Sequence, residues 1–143
     1  MADGNWDIIE GLLNVRLAEL LPDRKIIYEN QGGDKSNIEE LPSEPYLTAN
    51  FLPGTPVPIE VGDTGRNRNI GTYQVAVNIR QGVGKAEAYE IQKVLTAGFR
   101  RGTILSDGSV KVRCVNAYPS SGFETGTRFR VPIVVSWSSD VAN

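Results

Sequence analysis

Gly82-Val83-Gly84-Lys85 is the stretch that most invites a chemical reading, because a glycine turn ending in lysine ahead of a helix can cradle phosphate. A full phosphate loop needs a first glycine, four spacers and then Gly-Lys-Ser/Thr, since the hydroxyl holds Mg²⁺. Here Ala86 follows the lysine, and the residues ahead of Gly84 do not build that loop. A plain strand-to-helix turn that needs glycine flexibility accounts for it better. Glu39, Glu40 and Glu44 cluster with Asp34 near by. Paired acids can do acid–base work or bind Ca²⁺, but calcium loops need regularly spaced oxygens around a central glycine, and no such spacing occurs. A solvated loop is the better reading. Ser106, Ser109, Ser120 and Ser121 have no histidine to activate them, because the chain contains none; a serine–histidine triad is excluded. That absence also removes the commonest metal ligand and the usual general base at neutral pH.

The bulk numbers point the same way. A chain of 143 residues is the size of one domain, and 40% hydrophobic content suffices for a core. Seventeen acids against fifteen bases give a net charge of -2, so no strong basic field exists to hold DNA by its phosphates. No apolar run approaches the eighteen or so residues of a membrane span. MADGNWDIIEG is acidic where a secretory signal would need bases, so no signal peptide is expected. The single Cys114 rules out an internal disulfide framework.

The elements that must position any working residue are organised around Gly71 to Gly102. Tyr73, Val75, Val77 and Ile79 recur at every second residue, which is the period of a strand with one buried face. Ala88, Ile91, Leu95 and Phe99 fall at steps of three or four and give a helix one apolar side. Gly102 sits where a left-handed cap is usual, after Arg100 and Arg101, whose charges suit the negative helix end. An earlier helix over 5–21 carries the stripe Trp6, Ile9, Leu13, Leu17, Leu20, with Asn5 able to cap it and Pro22 stopping it. Gly11 inside it is a tolerated glycine.

KIIYEN (25–30) and PYLTANFLP (45–53) read as strands, the second bracketed by Pro45 and Pro53 as suits a strand end or sheet edge. GTIL and VKVRCVN flank the tight-turn pair Asp107-Gly108, with Val110, Val112 and Cys114 on one face opposite Lys111 and Arg113. AYPSSGFETG (117–126) reads as a polar turn region. In the last strand Phe129, Val131, Ile133, Val135 and Trp137 alternate with polar residues. Pro132 within it cannot donate a ladder hydrogen bond, which predicts a border strand or a bulge. The expected fold is α+β: a mostly antiparallel sheet of about five strands with two helices on one face, in a single domain over 1–143.

The stretch from Gly54 to Asn69 shows no clear periodicity and holds Arg66, Asn67 and Arg68. A connection this long is usually functional or disordered, and a mobile hairpin arm is expected. Arg66, Arg68, Arg80, Arg100 and Arg101 form a basic patch if the arm folds near the helix end. Helix-end complementarity explains Arg100 and Arg101, whereas Arg66 and Arg68 have nothing obvious in sequence to pair with, so a partner protein is expected to contact them.

IIEGLLNVRLAEL, KIIYEN, PYLTANFLP and the long loop, followed by GTYQVAVNIRQGVGKAEAYEIQKVLTAGFRRGTIL, resemble the tail-terminator or tail-completion proteins of long-tailed phages over roughly residues 5 to 138. The most specific part is Gly71 to Val75, then the Gly-x-Gly turn, then Phe99 to Thr103. The resemblance implies a structural virion protein without catalytic, cofactor or metal residues. It implies a hexameric ring on the end of the tail tube that stops polymerisation and offers a surface to the head. Its partners would be itself, the major tail tube protein and a head-completion or connector protein, with DNA passing through unspecifically and no membrane involved. It would work at the head-proximal end of the tail after assembly in the host cytoplasm. By position, the arm with Arg66, Asn67 and Arg68 would contact neighbours or tube. The presumed edge strand from Arg128 to Trp137, including Arg130 and Pro132, and the first helix would meet other subunits. The alternatives are another head–tail connector (a neck or stopper protein, or a minor tail protein), a small nucleic-acid-binding module using Arg66 and Arg68, and a nucleotide-dependent enzyme using Gly82–Lys85.

Overall fold

The computed structural model describes residues 5–28, 45–59, 66–80, 86–125 and 128–142. Helix α1 (Trp6–Leu20) buries Ile9, Leu13 and Leu17, which follow one another a turn apart. Asn5 starts it differently from expectation. Its backbone is left-handed (φ 59°), its carbonyl accepts from the Ile9 N–H at 2.9 Å, and its side chain makes no capping bond. The helix ends where the Leu21 N–H reaches back to the Leu17 carbonyl (3.2 Å) and Pro22 follows. Helix α2 (Ala86–Gly98) buries Ala88, Ile91 and Leu95, as its spacing predicts. It stops four residues before Gly102, so that glycine is no helix cap. Gly102 has the expected positive φ (90°), but it turns the chain into the next strand, and its N–H donates to the Cys114 carbonyl at 2.9 Å. Where the helices meet, Gly98 leaves room for the end of the Leu20 side chain, and Arg16 Nε donates to the Gly98 carbonyl at 3.1 Å.

The strands are β1 (Ile26–Tyr28), β2 (Tyr46–Pro53), β3 (Val57–Pro58), β4 (Arg66–Arg80), β5 (Ile104–Ser106), β6 (Lys111–Pro119), β7 (Phe123–Thr125) and β8 (Arg128–Ala142). They form one sheet in the order β1-β2-β4-β8-β6-β5, with β3 paired to β4 and β7 to β8. Among the described residues only β1 and β2 run parallel, and the other pairings are antiparallel. The class is therefore α+β with a mostly antiparallel sheet, but with eight strands among the described residues where about five are expected from the sequence. The additional ones lie in stretches without apolar alternation. The region expected to be a polar turn, 117–126, supplies the end of β6 and all of β7, and the supposed arm supplies β3 and the start of β4.

The core lies between the helices and one sheet face. Leu47 and Ala49 of β2, Tyr73, Val75, Val77 and Ile79 of β4, Val131, Ile133, Val135 and Trp137 of β8, and Val112 and Cys114 of β6 all point into it. Val115 of β6 is the extra residue of a bulge, since Cys114 faces Trp137 while Asn116 already faces Ser136. At one end of the core Trp137 stacks on Phe51 (centroids 5.3 Å apart) and Trp6 meets both rings edge-on. The Tyr73 hydroxyl donates to Asn14 Oδ1 at 2.5 Å, tying the middle strand to α1.

One expectation fails outright. The strand from Arg128 to Trp137 is no edge: β8 lies between β4 and β6 and pairs along its whole length with β4. Pro132 is tolerated there for a geometric reason. In an antiparallel ladder a residue's N–H and C=O point to the same side, and the Pro132 carbonyl accepts from the Ser120 N–H at 2.9 Å. The missing donor thus faces the gap where β6 ends at Pro119 and β7 has not begun.

Candidate interaction surfaces

Alternation along the strands sorts every side chain to the helix-covered face or to the opposite, open face. The odd residues of β4 and β8 face the core, so Arg66, Arg68, Ile70 and Thr72, with Ser136, Ser138 and Asp140, face away from the helices. Register carries the same face across the sheet. Arg68 stands opposite Val57 of β3 and Asp140 of β8, Ser138 stands opposite Ile70 and Arg113, and Arg113 stands opposite Ile104. Lys111 and Arg113 are exposed while Val112 and Cys114 between and beyond them are buried, which puts both bases on the open face.

Asp140 is the one carboxylate in this group of described side chains. Arg68 Nε donates to its Oδ1 at 2.8 Å, and the second guanidinium nitrogen reaches Oδ2 at 3.4 Å. That hydrogen bond, with the charges of Arg68, Arg66 and Arg113, holds the Asp140 carboxyl below its ordinary range. Arg68 therefore has a partner inside the chain, contrary to the expectation from sequence. The pair is exposed on both sides, so it orients the two side chains more than it stabilises the fold. Asn67 faces the opposite way, next in line to Arg68.

Around these charges the surface is apolar. Leu52, Val57, Ile59 and Ile70 are exposed on one flank and Ile104 on the other. The outer edge of β3 offers no donor. The Ile59 N–H points inward to the Arg66 carbonyl (3.0 Å), so the residue before it, Pro58, turns its backbone outward and carries no N–H. An added strand would find only acceptors there, and the edge is blunted against strand addition.

Arg130 and Pro132, singled out in the sequence as interaction residues, sit elsewhere. Arg130 Nε donates to Asn78 Oδ1 at 2.9 Å, and the fully buried Asn78 amide donates to the carbonyls of Tyr46 and Ala76, both at 3.3 Å. Arg130 thus closes a hydrogen-bond network over the sheet. Pro132 lies within the sheet, and Arg128 is the first residue of β8. Neither Arg100 nor Arg101 is in α2, and no basic residue occupies that helix's last turn.

The chemical candidates yield little. Gly82–Lys85 and the acids at 34, 39, 40 and 44 lie outside the described residues. Ser106 and Ser109 serve the β5–β6 turn: the Gly108 N–H donates to Ser106 Oγ (3.0 Å), and the N–H groups of Ser109 and Val110 donate to Asp107 Oδ1 (2.9 and 2.7 Å). Burial pushes the Cys114 thiol up to about 11, which leaves it protonated and unreactive at neutral pH. Among the described residues no three acids, cysteines or histidines gather to hold a metal ion, and no helix is long and apolar enough to cross a membrane.

The model of a family described as phage tail terminator protein matches residues 8–137, nearly the whole chain. The chain belongs to the phage tail terminator family. Membership gives it a structural role in the phage tail and a place in the virion, and the family is structural and not enzymatic. The fold agrees with one solved structure that carries no functional name, at 19% identity over 96% of each chain with a TM-score of 0.72. No curated protein matches the chain significantly. For a terminator, the useful surface is therefore a docking face. The β3–β4–β8 end exposes charged and apolar side chains side by side. Alternating apolar residues could not have revealed it, since both faces of this end carry polar residues. The cross-strand signal, Arg68 against Asp140, joins positions 72 residues apart.

Proposed function

We propose that this terminator closes into a hexameric ring on the head-proximal end of the tail tube, halts its polymerisation and presents a surface for head attachment. The family match across residues 8–137 carries this reading. Termination is steric: one face of the ring copies the docking surface of a tube subunit, and the other lacks the complementary patch. The partners are further copies of the chain, the major tail tube protein and a head-completion or connector protein, met in the host cytoplasm during assembly. DNA passes through the ring without specific binding, in keeping with the net charge of -2. Arg66 and Arg68 belong to the docking surface, whereas Asn67, also expected there from the sequence, lies on the opposite face of β4. Arg128, at the start of β8, is a weaker candidate, and Arg130 and Pro132 support the fold.

Purified protein added to growing tail tubes tests this directly. Tubes should stop elongating and carry one density at one end under the electron microscope. Binding only to DNA-filled heads would replace the terminator reading with that of a neck or stopper protein, and decoration along the tube wall would overturn both.

A further inference from the structure

The open face at the arm end and the outer side of α1 are complementary to each other. Arg68, Lys111 and Arg113 share one face with the carboxylate of Asp140, so among these described side chains three cations accompany one anion. This is a local excess of positive charge on a chain that is negative overall. Exposed Ile70 and Ile104 flank it on either side. Helix α1 shows the reverse. Its buried residues Ile9, Leu13 and Leu17 leave Asp7, Gly11, Val15, Ala18 and Glu19 exposed on the outer side. Val15, at 56% exposure, stands near the middle of that stripe. No base shares it within the helix, because Arg16 turns inward to the Gly98 carbonyl. A Cβ added at Gly11 would meet nothing within 4 Å, so the stripe is open to an approaching surface.

We propose that these two surfaces bind each other between copies of the chain: the α1 stripe of one copy seats on the basic, aliphatic-flanked face of the next. This deepens the ring reading and rests on it. Both halves of the contact are on one molecule, and they look in opposite directions, α1 away from the sheet and the basic face away from the helices. Such a contact is heterologous, passing head to tail from copy to copy, and closes into a ring where the rotation per copy allows. Asp7 and Glu19 meet the surplus cations, and Val15 supplies apolar contact at the centre of the stripe. Nucleic acid fits this face less well, because Asp140 stands among the bases and aliphatic side chains replace the aromatic ones on which bases stack. The donor-poor edge of β3 disfavours strand addition at that edge, in keeping with docking through the face.

Cross-linking tests it. Val15→Cys and Ile104→Cys are made separately on exposed positions, with buried Cys114 silent under mild oxidation. Disulfides should form between the two variants when mixed, at least roughly tenfold faster than within either variant alone. A chain carrying both substitutions should give a ladder of oligomers. Lys111→Glu with Arg113→Glu should abolish the mixed cross-link, and combining it with Asp7→Lys and Glu19→Lys on the other variant should restore it. Equal self-linking, no cross-link, or no rescue overturns the inference. If the reversed face still prevents capping of tubes while no cross-link forms, its partner is a different acidic protein and the terminator reading survives. If variants and wild type alike fail to cap tubes, that reading falls instead.

Discussion

The indole of Trp137 lies over Gly71, its directly opposed residue on the neighbouring strand: a Cβ at position 71 would stand 2.7 Å from ring carbon Cζ2 and 2.5 Å from the Leu52 carbonyl oxygen. One of those obstacles is backbone and the other is a fully buried ring stacked on Phe51. Neither can yield cheaply. Gly71→Ala is therefore expected to destabilise the chain by about 2 kcal/mol through overpacking, read as a lower urea midpoint. Gly11→Ala is the control: in open space within a helix, it should raise stability by about 1 kcal/mol.

Asn78 is buried on the sheet face opposite α1 and α2, and it holds Arg130. Asn78→Ala removes the acceptor of Arg130 and the donors to the Tyr46 and Ala76 carbonyls. A loss of about 2 kcal/mol is expected from these unsatisfied groups. Chemical denaturation measures it, and an unchanged midpoint would show that water replaces the network without cost.

Alkaline pH should expose the state of Cys114. Its thiol is raised from 9.0 to about 11 in the fold by burial, with the charge of Arg16 working in the opposite direction. A raised pKa means stability fully present below pH 9 and lost as pH climbs toward 11, because the unfolded chain gives up the proton first. Melting temperature should fall across that window, and the Cys114→Ala variant should show a shallower decline. A thiol reagent at pH 8 should label the native chain only after denaturant is added. Asp140 has the opposite sign. Its carboxyl is depressed, so its small contribution exists above the ordinary carboxylate range and disappears as pH falls through the lowered value. Its exposure keeps that effect slight.

Val77 is fully buried at the centre of β4. Val77→Asp puts an unpaired charge where several kcal/mol would be needed to hold it, enough to prevent folding of an ordinary domain. The expected product is insoluble or lacks the native circular-dichroism signal. A folded, soluble variant would show that the sheet can expose this position.

Arg66→Glu with Arg68→Glu should leave the melting temperature nearly unchanged and impair assembly. Both positions are exposed, and the loss of the Arg68–Asp140 pair removes an interaction that water already screens. Loss of tube capping by a folded variant is the outcome to look for.

Local pattern alone fixed a good part of this molecule. Two helices and the strands through Tyr73–Ile79 and Phe129–Trp137 were legible because one face of each is buried, and burial writes a period of two or of three to four into the residue types. The poor prospects for catalysis were legible too, since no histidine exists to serve as base or ligand. Strand order was not. Pro132 suggested an edge, yet β8 is interior, because only the tertiary arrangement reveals that its missing N–H faces the junction of β6 and β7. The stretch from Arg66 to Ile70 looked like loop because its inward positions past the Trp137 cluster are polar, as in buried Asn69. Periodicity vanishes where a strand outruns its apolar core. Arg68 found its carboxylate in Asp140 only through register, and the joining of Arg66, Arg68, Lys111 and Arg113 into one face needed three strands side by side. Sequence sets which residues are buried; pairing between distant strands decides which surfaces those residues leave behind.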